Sequence, residues 1–306
     1  MKKFIVTTTI NPVTKAVDLF QNMSDWELVV IGDLKTPVDY KLCRGTYVTP
    51  EKQEEYDKEL SDAIGWNCIQ RRNFGLLWAF DRGADIIAVV DDDNIPYPDW
   101  GKDLMLGKPT EVNYYETGLP AFDPVGATNE KKLWHRGYPL QLLAKRDYSS
   151  CSKRTVSPDI QADFWNGDPD VDAICRMEHA PDCTFDENAF PIASNKIAPF
   201  NSQNTFIRRE VIKDYFLFPH IGRMDDIWAS FYVQAKGFKV VYGKASVYQD
   251  RNEHDDVRDM KQEYIGYENN LKLVNDLYQD PEKILDYLPT RSVDALRAYR
   301  RHFDYA

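Results

Sequence analysis

The feature that most constrains this chain is the run Ala84-Asp85-Ile86-Ile87-Ala88-Val89-Val90, which passes directly into Asp91-Asp92-Asp93-Asn94. A continuous β-branched apolar run reads as a strand covered on both faces, the habit of parallel strands inside an α/β sheet. Three consecutive carboxylates at its end repel one another, and a fold tolerates them best where a cation or hydrogen bonds neutralise them. All-oxygen ligands suit Mg2+ or Mn2+, ions that usually hold substrate phosphates as well. The run therefore predicts either a metal-bridged diphosphate site or an acidic turn capping a strand.

Neighbouring segments repeat the strand-then-helix pattern. Phe4 to Ile10 is β-rich and stops at Asn11-Pro12, Thr14 to Asn22 reads as a short helix, and Glu27 to Ile31 is an apolar strand ending at Gly32-Asp33. Glu51 to Phe80 reads as mostly helical. Strands alternating with helices predict an α/β sheet whose ligands sit at the carboxyl ends of its strands. Thr8 and Thr9, Asp33, and Asp91 to Asn94 would then share one rim. The stretch 101–199 is rich in loops, prolines and aromatics and is expected to form the far side of the cleft. Ser202 to Ile207 and Lys239 to Tyr242 read as strands, Asp225 to Ala235 as a helix, and the chain is helical from Asp255 onward. Residues 1–254 are expected as one catalytic unit, with 1–100 the nucleotide-binding half and 101–254 the acceptor and sugar half, followed by a helical extension over 255–306.

Charge and composition exclude several functions. The chain carries 38 Lys+Arg against 49 Asp+Glu, a net −11, which repels a nucleic-acid backbone. No apolar stretch reaches the ~18 residues a membrane helix needs, which leaves only peripheral membrane contact open. The N-terminal segment reads as a first strand rather than a signal peptide. Five cysteines without a CxxC pair predict reduced thiols in a cytoplasmic setting and no zinc site. The glycine-rich dinucleotide loop, the P-loop, the GxSxG elbow and the HExxH motif are all absent from the sequence. Seven Trp and eighteen Tyr fit sugar stacking and fit an aromatic core equally.

Other residues carry candidate chemistry. Asp33, followed by Lys35, could accept hydrogen bonds from a base or ribose, or could simply end the strand. Arg71 and Arg72 offer forks that match phosphate oxygens, or a solvated helix face. Arg136 stands among aromatics in Trp134-His135-Arg136-Gly137-Tyr138-Pro139, where such a cation often stacks structurally. Asp225 and Asp226 open a helix, where carboxylates cap; a carboxylate pair can also hold sugar hydroxyls or take a proton. His254, after an apparent strand, could complete a metal site.

Eight blocks occur in one order: Thr7 to Pro12, Val29 to Asp33 with Lys35 to Pro37, Asp91 to Asp93, Arg136 to Pro139, Asp168 to Arg176, Pro199 to Thr205, Asp226 to Trp228, and Val247 to Asn252. Together they resemble the STELLO-type glycosyltransferases. More distantly they resemble the reversibly glycosylated polypeptides, which include UDP-arabinopyranose mutases. The resemblance implies a GT-A-type fold with a mixed, mainly parallel sheet and a C-terminal helical extension. It further implies that Asp91 and Asp93 form the DxD-like pair of a Mn2+ or Mg2+ site, with Asp91 nearer the ribose, Asp92 beside it and Asp93 on the metal. The metal-binding His of the second family falls nearest Gln249, so Gln249 or His254 would be the further ligand. Arg136 matches the arginine thought to be self-glycosylated in that family.

The expected function is metal-dependent transfer of a sugar from a nucleotide-diphosphate donor, of UDP type, to a glycan or lipid-linked acceptor in cell-surface polysaccharide synthesis. The alternatives are a nucleotide-sugar mutase or self-glycosylating protein acting through Arg136, and a non-catalytic partner of a polysaccharide synthase.

Overall fold

The computed structural model describes residues 1–249 and 255–303. Its strands are β1 (Lys3–Thr8), β2 (Glu27–Ile31), β3 (Thr46–Val48), β4 (Ile86–Val90), β5 (Asn94–Pro96), β6 (Thr110–Tyr115), β7 (Cys151–Val156), β8 (Ile160–Gly167), β9 (Ile192–Ser194), β10 (Asn204–Arg208) and β11 (Val240–Gln249). They join into one sheet in the order β3-β2-β1-β4-β10-β8-β11-β9-β6-β7, with β5 on β11. From β3 to β4 every pairing is parallel. Beyond it, β10 runs antiparallel to both β4 and β8, and β8 and β11 pair in parallel. The α/β class and the mixed sheet follow the expectation.

The helices are α1 (Lys15–Gln21), α2 (Pro50–Tyr56), α3 (Lys58–Ile64), α4 (Arg72–Asp81), α5 (Ala173–His179), α6 (Asp225–Ala235), α7 (Asp256–Leu277) and α8 (Thr290–Arg301). The segment expected as mostly helical from Glu51 to Phe80 divides into α2, α3 and α4. Asp57 ends α2 and caps α3 through Leu60 N–H, and Gly65, with φ +81°, stops α3. Only a residue tolerant of the left-handed region ends a helix this way.

β4 is buried at all five positions, as its unbroken apolar sequence requires. α4 lies directly on β1 because residue 75 is glycine: a Cβ there would stand 2.3 Å from Val6 Cγ1. α6 is buried along Asp225 to Val233, with Trp228, Phe231 and Tyr232 in the core. A helix apolar on all sides needs cover on all sides. Part of that cover comes from α7, where Asn270 Oδ1 accepts from Trp228 Nε1 at 2.8 Å. The helical C-terminal extension thus packs against the core rather than hanging from it. α8 reaches α3, where Arg291 Nη2 donates to Asp62 O at 2.6 Å.

Candidate functional site

The carboxyl ends of β1, β2 and β4 open into a cleft of about 1000 Å3. Its floor is built by short polar side chains that tie these ends together. Thr9 Oγ1 and Asn11 Nδ2 both donate to Asp92 Oδ2, the latter at 3.1 Å. Thr36 Oγ1 donates to Thr9 O at 2.6 Å. Asp33 is fully engaged in the same way, accepting from Leu34 N–H (2.6 Å) and Asn67 N–H (2.8 Å) on Oδ1 and from Cys68 N–H (3.0 Å) on Oδ2. These hydrogen bonds neutralise part of the acidic rim and hold the loop between α3 and α4 against β2.

Asp91 pairs with Arg72, whose Nη2 donates to Asp91 Oδ1 at 2.7 Å. Arg72 Nη1 meanwhile donates to Ser202 O and Oγ, fastening β4 to the segment before β10. Burial raises the Asp91 pKa, and the Arg72 charge only partly offsets it.

The opposite wall is organised by Arg136. Its Nε and Nη2 grip Asp170 at 2.8 and 3.0 Å, and its Nη1 and Nη2 grip Asp226 at 3.0 and 3.1 Å. Nη1 also donates to Arg223 O. Burial alone would lower the Arg136 pKa, but the Asp170 and Asp226 charges drive it well above its usual value. Burial alone would raise Asp170, and Arg136 instead holds it well below the usual carboxylate range. Asp226 also accepts from Ser202 N–H at 2.9 Å.

Asp225 stands beside this network without sharing its guanidinium. Gln70 Nε2 donates to its Oδ2 at 2.7 Å. Burial, and then the charge of Asp226, push its pKa up to about 7. Adjacent carboxylates with such unlike surroundings divide roles, one fixed by its partners and one poised to exchange a proton near neutrality.

Arg223 completes the wall. Its Nε donates to Glu263 Oε1 at 2.9 Å, and its Nη1 lies 3.4 Å from Asp259 Oδ2. Glu263 is wholly buried on α7 and also accepts from Ala173 N–H and Tyr267 Oη. Gly222 permits this contact, since it has φ +61° and a Cβ there would lie 2.2 Å from Gln262 O.

Most residues singled out in the sequence meet here. Thr8, Thr9, Asp33, Arg72, Asp91, Asp92, Asp93, Arg136, Asp225, Asp226 and Gln249 all line the cleft. Two do not. Arg71 turns away into the space between α2 and α3, where Nε donates to Gln53 Oε1 at 2.8 Å and Nη1 to Ser61 Oγ at 3.0 Å. Lys35 is exposed and is not among the lining residues. His254 lies outside the described residues. Gln70, Asp170, Ser202 and Glu263 were not assigned roles from the sequence. Of these, Asp170 and Ser202 carried a local signal, lying inside the blocks Asp168 to Arg176 and Pro199 to Thr205, and Gln70 and Glu263 carried none.

Gln249 ends β11 directly opposite Asn94 on β5, the residue after the triple aspartate. Its Oε1 and the Oδ1 of Asn94 are buried without a hydrogen-bond partner. Among the described residues, no group of three or more His, Cys, Asp or Glu is arranged to hold a metal. Around the triple aspartate and the end of β11, the side chains offer aspartate and amide oxygen. Such a donor set suits a hard divalent ion that keeps water and phosphate oxygens in the rest of its shell.

Comparison with known proteins points to a class first: glycosyltransferases. The particular relatives are two Arabidopsis thaliana proteins. Probable glycosyltransferase STELLO2 is 23% identical over 223 residues, covering 67% of this chain and 29% of the relative. Probable glycosyltransferase STELLO1 is 25% identical over the same length and shares. The chain thus spans less than a third of the curated relatives it matches. No protein-family model matches it. Among solved structures, glucosyl-3-phosphoglycerate synthase from Mycobacterium tuberculosis in complex with Mn2+, UDP-glucose and phosphoglyceric acid is 12% identical, with a TM-score of 0.47 over 89% of this chain and 80% of that one. Its complex with Mn2+, UDP-glucose and glycerol 3-phosphate is 11% identical, with the same TM-score and shares.

Proposed function

We propose that this chain is a glycosyltransferase of GT-A type that moves a sugar from a UDP-type nucleotide-diphosphate donor. The single observation that carries the reading is the cleft itself. It sets a strand-end triple aspartate opposite a carboxylate, Asp225, whose pKa is pushed up to about 7. The similarity to two probable glycosyltransferases supports it.

On this reading Asp93 and Gln249, with Asp91 close by, would hold Mn2+ or Mg2+. The ion, when bound, would offset the charge of the leaving diphosphate. Thr8 and Thr9, which line the cleft, would border the phosphates, and Arg72 keeps Asp91 in place. Asp225 takes the proton of the acceptor hydroxyl. The acceptor oxygen then bonds to the anomeric carbon as the bond from that carbon to the diphosphate oxygen breaks, and the diphosphate leaves with the electron pair. Asp226, gripped by Arg136, keeps the first turn of α6 in register for Asp225. The acceptor is a glycan or lipid-linked sugar, and the product belongs to a cell-surface polysaccharide. The five cysteines are all free, which supports a reducing, cytoplasmic setting. Residues 1–254 then form the catalytic unit and 255–306 its extension.

Self-glycosylation at Arg136 finds no support. Each of its five N–H donors already meets an acceptor, and its raised pKa leaves no nucleophilic lone pair. The test is Asp225→Asn. Release of UDP from the preferred UDP-sugar should fall by ~100-fold or more, the typical worth of a general base, while UDP affinity holds. Unchanged release would remove Asp225 from the chemistry. Binding without any release by the unaltered chain would favour the non-catalytic partner reading.

A further inference from the structure

Trp66 lies in the loop between α3 and α4 and lines the cleft half-buried. The loop is fastened at both ends. Asn67 and Cys68 donate their N–H groups to Asp33, and Gln70 donates to Asp225. One face of the indole is covered by the Arg71 guanidinium, 3.6 Å from the ring centroid. That guanidinium lies 4.5 Å from the ring of Phe74 as well, and Gln53 and Ser61 fix it by hydrogen bonds. Trp66 is therefore a flat plate with its back occupied and its position set, in the wall of a cleft at the strand ends where nucleotides bind in α/β sheets.

The backing cation decides what such a plate prefers. Aromatic faces are electron-rich, and a guanidinium held against one face draws on that density. The remaining face suits a planar heteroaromatic ring better than sugar C–H groups, which seek an electron-rich surface. We propose that Trp66 is the platform on which the donor's nucleobase stacks, an assignment that rests on the nucleotide-sugar reading above. Asp33, its carboxylate already accepting three N–H groups, then acts as a positioning residue that holds the Trp66 loop. Arg71, displaced from the phosphates, serves the same site from behind the indole.

Calorimetric titration of the full chain with UDP, GDP and ADP in the presence of Mn2+ tests this, with methyl diphosphate as the base-free probe. Trp66→Ala should weaken the best nucleotide by ~10-fold or more, the usual worth of base–aromatic stacking, and Trp66→Phe should retain most of the affinity. Methyl diphosphate should bind all three proteins alike. Nucleotide affinity unchanged in Trp66→Ala, or an equal loss for methyl diphosphate, would overturn the assignment. So would intact nucleotide affinity with lowered turnover, which would put a sugar on the ring. If the unaltered chain binds no nucleotide at all, the donor reading falls together with this one.

Discussion

Arg136 illustrates how one side chain can be conspicuous in a sequence and still act through others. Its guanidinium satisfies two buried carboxylates at once and leaves no donor free. Removing one partner of such a network strands uncompensated charge, which costs ~3–5 kcal/mol. Arg136→Ala should therefore lose about that much stability in a urea titration, and Arg136→Lys should not restore it, because an ammonium cannot grip two carboxylates bidentately. A loss below ~1 kcal/mol would mean that the network is far more solvated than its geometry implies.

Asp225 gives a prediction with a definite sign. Its folded-state pKa is raised to about 7 by burial and then by the charge of Asp226. The unfolded chain gives up this proton near pH ~4, the ordinary carboxyl value. The group's contribution to stability is thus complete below that point and is lost as pH rises through about 7. Asp225→Asn cannot titrate. Its melting temperature relative to the unaltered chain should rise between about pH 5 and about pH 8. A pH-independent difference would show that the carboxyl is not shifted.

At the scale of elements, the strand ends were legible in the sequence and the helix faces were not. β4 and the triple aspartate stand out because a strand buried on both sides has no polar position to blur it. Arg71 and Arg72 are neighbours in sequence, but successive residues in helical backbone point ~100° apart, so only the packing shows that Arg72 reaches Asp91 and Arg71 does not. Gln70 and Glu263 enter the site from far along the chain, and nothing local marks a glutamine or a helical glutamate as buried. The long helical pattern from Glu51 hid two breaks because Asp57 and Gly65 each serve as ordinary caps. Gly75 makes a sharp test of the α4–β1 contact. Gly75→Ala gains helix propensity worth about 1 kcal/mol, yet should lose ~1–3 kcal/mol net through overpacking against Val6. A stabilised variant would contradict the close approach.

For the molecule as a whole, the balance of charge in the cleft decides what can enter. Six aspartates and four arginines line it, an excess of two negative charges inside a chain already at −11. A nucleoside diphosphate adds further negative charge and would be repelled without a cation to bridge it. The α/β architecture and the placing of the triple aspartate on the cleft followed from the order of motifs. The internal neutralisation of Asp33, Asp91 and Asp92 did not, since it depends on which donors the fold brings to them. Asp93 and Gln249, which also line the cleft, are the oxygen donors on which the metal claim turns.

The most direct measurement is thermal stability of the unaltered chain and of Asp93→Asn with UDP and UDP-sugars, each with and without Mn2+. A ligand at 100 times its dissociation constant adds about 2.7 kcal/mol, a rise of a few degrees for a chain of this size. The account predicts that rise for the unaltered chain only when nucleotide and Mn2+ are both present, and its loss in Asp93→Asn. No shift with any nucleotide, or an equal shift without metal, would contradict it.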